Sequence, residues 1–136
     1  MKFYKVNCST LPGSGFKEVH RHALIFYNRI KARTKRRPYV RCAYFRKSKI
    51  FLGIFWTHLF EKNWRDRTRR LKFFSAAIYL IRNSRFDPVS NENPNRKSEI
   101  LHKFYGKTSD NKRFCVQIKE NKRNSQKFFI SVFPDE

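Results

Sequence analysis

The stretch HKFYGKTSDNKRFCVQIKE, His102 to Glu120, decides the fold. Phe114, Val116 and Ile118 alternate with Arg113, Cys115, Gln117 and Lys119, the period of a strand with one buried face. The polar run KTSDN interrupts the apolar pattern and predicts a turn. Working outward, Glu99–Tyr105, Arg113–Glu120 and Lys127–Phe133 form a three-strand meander, with NKRNSQ as its second turn. In the last strand, Phe128, Ile130 and Val132 are expected on one face and Phe129, Ser131 and Phe133 on the other.

The preceding chain is helical in pattern. Phe16–Thr34 spaces Phe16, Val19, Ala23, Phe26, Tyr27 and Ile30 along one face, until Pro38 ends the run. Tyr39–Phe45 predicts a strand, RKSK a turn, and Ile50–Phe55 a returning strand or the lead into a helix. Two helices are expected near 56–64 and 67–83, with Asp66 and Thr68 capping the break. Ser84–Ser98, with Pro88 and Pro94, predicts a loop. Residues 1–15 contain Pro12, Gly13 and Gly15 and predict a flexible arm. The whole chain, 1–136, is expected to be one α+β domain. Its N-terminal helices pack on one face of an antiparallel sheet that ends in the meander.

Thirty-two Lys and Arg against 10 Asp and Glu leave a net charge of +22. A folded domain so unbalanced repels itself until an anion neutralises it, and nucleic acid is the commonest such anion. Fifteen Phe residues rule out a disordered basic tail. The longest apolar run, Ile50–Phe60, is too short to span a bilayer, so no membrane partner and a cytoplasmic location are expected. Cys8, Cys42 and Cys115 are odd in number and far apart, which suits free thiols rather than disulfides or zinc.

Acidic residues are few and scattered, so no metal site and no cofactor are expected. Gly106-Lys107-Thr108 lacks the earlier glycine of a phosphate-binding loop. His20 and His22 suit a solvated helix surface, and His58 a half-buried position in an apolar run. His102 shares its strand face with Ile100 and Phe104, which shelters the ring. RNA can be cut without metal when its own 2′-OH attacks the adjacent phosphate. That reaction needs proton carriers, for which imidazole is suited, and cations on the phosphate. His102, Lys107, Thr108, Arg113, Gln117 and Ser131 from the meander are candidates, with His58 next in line. Arg65, Arg67, Arg69, Arg70 and Lys72 in RDRTRRLK and its flank, with Lys103 and Lys119, are candidates for RNA binding.

FWTHLFEKNWRDRTRRLKFFSAAIYLIRNS, followed by LHKFYGKTSDNKRFCVQIKE and KFFISVFP, resembles the phage-type barnase–EndoU–colicin–RelE-like (BECR) nuclease superfamily. There a helical segment carrying His and Arg or Lys precedes an antiparallel sheet. The resemblance covers about 50–134, a nuclease-like core, and leaves the basic half Met1–Phe45 outside it. It implies a metal-independent ribonuclease, a toxin of a toxin–antitoxin or mobile-element system, with RNA and a protein antitoxin or inhibitor as partners. By position it implies His58, His102, Lys107, Thr108, Arg113 and Ser131 as catalytic. The alternative is a non-catalytic nucleic-acid-binding protein, a regulator or a phage inhibitor of a host nucleoprotein.

Overall fold

The computed structural model describes residues 2–135. In chain order the elements are β1 Tyr4–Lys5, α1 Phe16–Arg33, β2 Tyr39–Cys42, β3 Ser48–Phe51, α2 Gly53–Phe60, α3 Trp64–Leu71 and α4 Phe74–Asn83. The strands β4 Val89–Asn93, β5 Arg96–Lys107, β6 Arg113–Asn121 and β7 Lys127–Pro134 follow. The fold is α+β, with the four helices before residue 84 and a seven-stranded sheet in the order β1-β5-β6-β7-β3-β2, β4 also pairing with β5.

The β5–β6–β7 meander is antiparallel throughout. The sheet as a whole is mixed, which corrects the antiparallel expectation. Tyr4 and Lys5 run parallel to Gly106 and Lys107, and Ile50 and Phe51 parallel to Lys127 and Phe128. The N-terminal arm is therefore laid along the sheet rather than free. Val6 is buried and donates its N–H to the Lys107 carbonyl, while Cys8 accepts from the Ser109 N–H and Leu11 donates to the Lys72 carbonyl.

Phe114, Val116 and Ile118 face inward as the alternation requires. On β7 the alternation fails: Phe129 and Val132 are both buried. A bulge explains it. Gln117 pairs with Ser131 but Ile118 pairs with Phe129, so Ile130 is an extra residue and the parity flips across it. Loop 84–98 contains β4, paired antiparallel with β5. Its side chains are nearly all exposed, so an edge strand here carries no apolar period. Pro88 precedes it, and Pro94 sits in the tight turn to β5.

Helices α3 and α4 break at Lys72–Phe73, within the helix expected over 67–83. Phe73 leaves helical geometry and stacks on Phe114, with centroids 5.5 Å apart. The α3 cap is Asn63, whose Oδ1 accepts from the Asp66 N–H at 2.9 Å, in place of Asp66 or Thr68. Helices α2 and α4 pack on the inner sheet face. Phe55 stacks on Phe129 at 4.6 Å, and Leu80 fills the space above Gly106. Helix α1 buries Val19, Ala23, Tyr27 and Ile30 in the same core, Tyr27 meeting Trp56 and Phe74. Among the described residues, no helix is long and apolar enough to cross a membrane.

Candidate active site and basic groove

Phe55 and Leu59 anchor α2 in the core, which leaves His58 at the margin of the buried face. Its side chain is 43% exposed, with Nδ1 3.6 Å from Glu61 Oε1. One helix on, Leu71 is buried and its neighbour Arg70 reaches across to β7. Arg70 Nη1 donates to Ser131 Oγ at 2.7 Å, Nε donates to Asp66 Oδ2 at 3.0 Å, and the guanidinium lies over the Phe133 ring. Burial opposes ionisation of Asp66, but hydrogen bonds from Arg69 and Arg70 prevail and lower its pKa. The carboxylate thus aims Arg70.

The bulge at Ile130 aims Ser131, since a one-residue insertion rotates the strand behind it. His58, Lys62, Arg70 and Ser131, with the apolar Phe55, Leu59 and Ile130, accordingly line one small cleft of about 10 Å³ between α2, α3 and β7. Gln117 is the register partner of Ser131 and Lys103 that of Gln117, so the three form a row across the sheet. An imidazole, an ammonium, a guanidinium and a hydroxyl gathered around one cleft are the kinds of group that move a proton and neutralise a phosphate.

His102 lies elsewhere and is caged. Its side chain is 8% exposed; Nδ1 meets Ser90 Oγ at 2.6 Å and Nε2 meets Glu120 Oε1 at 2.8 Å. Phe45 packs edge-on at 4.9 Å, and Lys127 stands 3.8 Å from the other Glu120 oxygen. With both nitrogens engaged and the ring covered, His102 ties β4, β5 and β6 together. It lies apart from His58, Arg70 and Ser131, so the structure does not bring the expected catalytic residues into one site.

Thr108 is fully buried; its Oγ1 donates to Asp110 at 2.5 Å and accepts from the Lys112 N–H at 3.0 Å. That closes the β5–β6 turn, a structural role in place of a catalytic one. Lys107 and Arg113 are register partners at the same end, Arg113 resting over Phe3. Arg113 is four residues along β6 from Gln117, roughly 13 Å at strand spacing, so it cannot share a phosphate with Ser131. Burial, more than anything around it, pushes the Cys115 thiol up to about 12, which makes it inert.

The expected RNA-binding cations divide by role. Arg67 donates to the Phe60 carbonyl at 2.5 Å and to the Lys62 carbonyl at 2.8 Å, and so braces the α2–α3 connection. Arg65, Arg69 and Lys72 line a shallow depression beside Trp64, whose ring is exposed. Lys119 pairs with Glu99 at 3.5 Å.

A second, larger concavity was not foreseen. Arg33 at the end of α1, Arg41, Arg46 and Lys47 of the β2–β3 hairpin, and Arg82 and Arg85 at the end of α4 line a groove of about 1160 Å³ with Tyr39 and Tyr44. The signal lay in three short basic stretches, RIKARTKRR, FRKSK and RNSR, each ending an element. Nothing in the sequence says that they converge. Among the described residues, no cluster of three or more His, Cys, Asp or Glu is placed to ligate a metal.

No protein-family model, curated protein or solved structure matches this chain.

Proposed function

We propose that the chain is a metal-independent ribonuclease whose active site is the corner between α2, α3 and β7. The observation that carries this is the convergence of His58, Lys62, Arg70 and Ser131 around one small cleft of about 10 Å³, at whose edge the His58 side chain is 43% exposed. The BECR resemblance agrees with it in part, since His58 and Ser131 are two of the six positions it implies as catalytic.

In the proposed reaction His58 takes the proton of the 2′-OH, whose oxygen bonds to the adjacent phosphorus. The bond from phosphorus to the 5′ oxygen breaks, and that oxygen gains a proton from Lys62 or from water. The products are a 2′,3′-cyclic phosphate and a 5′-hydroxyl. Arg70, fixed by Asp66, neutralises charge growing on the phosphate oxygens, and Ser131 Oγ hydrogen-bonds to one of them. Such an enzyme harms its host unless neutralised, so the expected protein partner is an inhibitor that covers this corner, acidic enough to meet a charge of +22.

The experiment is incubation of the pure protein with total RNA in EDTA, with the ends of the fragments identified. Cyclic phosphate ends that depend on His58 support the proposal. The second reading is a nucleic-acid-binding protein without catalysis, favoured by the basic groove, and RNA bound but never cut would select it.

A further inference from the structure

We propose that the groove between the ends of α1 and α4 and the β2–β3 hairpin is a docking track for the phosphodiester backbone of single-stranded RNA. The inference rests on the ribonuclease proposal for the choice of RNA as ligand, not for the groove itself. Six cations line it and its lining contains no carboxylate. Among the described residues, none of the six forms an ion pair with Asp or Glu, whereas Arg70, Lys119 and Lys122 elsewhere all do. One carboxylate, Asp87, stands against the lining residue Tyr44; six like charges with so little counter-charge repel, and an anion in the groove relieves that. Arg33 faces Arg82 closely enough that burial, then its charge, lowers the Arg82 pKa.

The hairpin gives an independent sign. Ser48 N–H donates to the Phe45 carbonyl, and the two central residues, Arg46 and Lys47, have φ of 54° and 66°. Such a turn strongly prefers Asn-Gly, because L side chains are strained in the left-handed region. Two long cations occupy it instead, and local strain of this kind collects at ligand-binding sites. Arg41 Nη1 donates to the Lys47 carbonyl at 3.0 Å, which fixes the hairpin on the groove wall. An anionic membrane fits less well. The exposed large apolar residues Ile25, Phe60, Trp64, Phe86 and Val89 all lie outside the groove lining, so nothing there would insert into lipid.

The test uses full-length His58→Ala protein, so that RNA stays intact, with and without Arg46→Asn plus Lys47→Gly. Affinity for a fluorescent single-stranded RNA is measured against salt, and the melting temperature is recorded. Six phosphate contacts give a log–log slope of roughly −4 for a single strand, and losing two cations reduces it to roughly −3. That change, with a melting temperature equal or higher because the turn is relaxed, is expected. An unchanged slope and affinity overturns the proposal, as does loss of binding to phosphatidylserine vesicles while RNA binding stays the same. Should that variant fold poorly, Arg82→Gln with Arg85→Gln at the exposed end of α4 must give the same slope change, and an unchanged slope there overturns it equally. Failure of the unaltered chain to cut RNA would sink the ribonuclease proposal and leave the slope change standing.

Discussion

Arg70 and Ser131, 61 residues apart in sequence, are joined by a 2.7 Å hydrogen bond that closes α3 onto β7. The bond links the carboxylate-held cation to the bulged strand. Arg70→Ala removes both the cation and the brace. Its loss should lower kcat by about 10²-fold or more, in line with deletion of a charge-stabilising donor. Ser131→Ala should cost less. The double variant should be little worse than Arg70→Ala alone, since residues acting as one unit are not additive. Full additivity would show that the two act separately.

His102→Ala should cost stability and leave cleavage intact. It takes one hydrogen bond from the partly buried Glu120 carboxylate, which keeps Lys127 at 3.8 Å, at a cost of about 1–3 kcal/mol, while Ser90 on the exposed β4 strand turns to solvent. Urea unfolding measures the first effect and RNA cleavage the second. Cleavage lost with the fold intact would restore His102 as the catalyst.

Gly106→Ala tests how the helices sit on the sheet. A Cβ there would fall 2.6 Å from Leu80 Cδ1 and from Phe114 Cζ, both in the packed core. Overpacking of that kind costs about 1–3 kcal/mol. An unchanged midpoint in urea would mean that α4 does not press on β5 as described.

These contrasts mark what the sequence discloses. The alternation of Phe114, Val116 and Ile118 was legible because β6 is central and one of its faces is dry. The β7 faces were not, because a bulge leaves no mark in the composition of KFFISVFP. β4 was missed because an exposed edge strand has no apolar period to show. His58 was legible as a lone imidazole in an apolar run. Ser131 and Arg70 were also legible as candidates, but their meeting was not, since they arrive from separate elements, and Arg67, one turn before Arg70, carries the same charge but is spent on backbone carbonyls. His102 drew attention by sharing a face with Phe104, yet that same sheltering is what takes it out of reach of a substrate.

Stability should fall as pH drops below neutrality, in part through His20. Its ring stacks on Phe16 at 5.0 Å and meets Trp56 and Phe60, and burial lowers its pKa from 6.5. The unfolded chain therefore binds this proton more readily than the folded one. The contribution is present above the unfolded value of 6.5 and is lost as pH falls through it toward the folded value. Melting temperatures across pH 5 to 8, as roughly spans histidine titration, should slope less in His20→Leu than in the parent. Equal slopes would place the pH dependence elsewhere.

The most direct measurement is cleavage of a defined single-stranded RNA in EDTA by the parent chain and by His58→Ala, with fragment ends identified by mass. The expected result is discrete cutting to 2′,3′-cyclic phosphate ends by the parent, reduced about 10²-fold or more in His58→Ala at unchanged melting temperature. No cutting by the parent, or equal cutting by His58→Ala, would contradict a ribonuclease site at the corner of α2, α3 and β7.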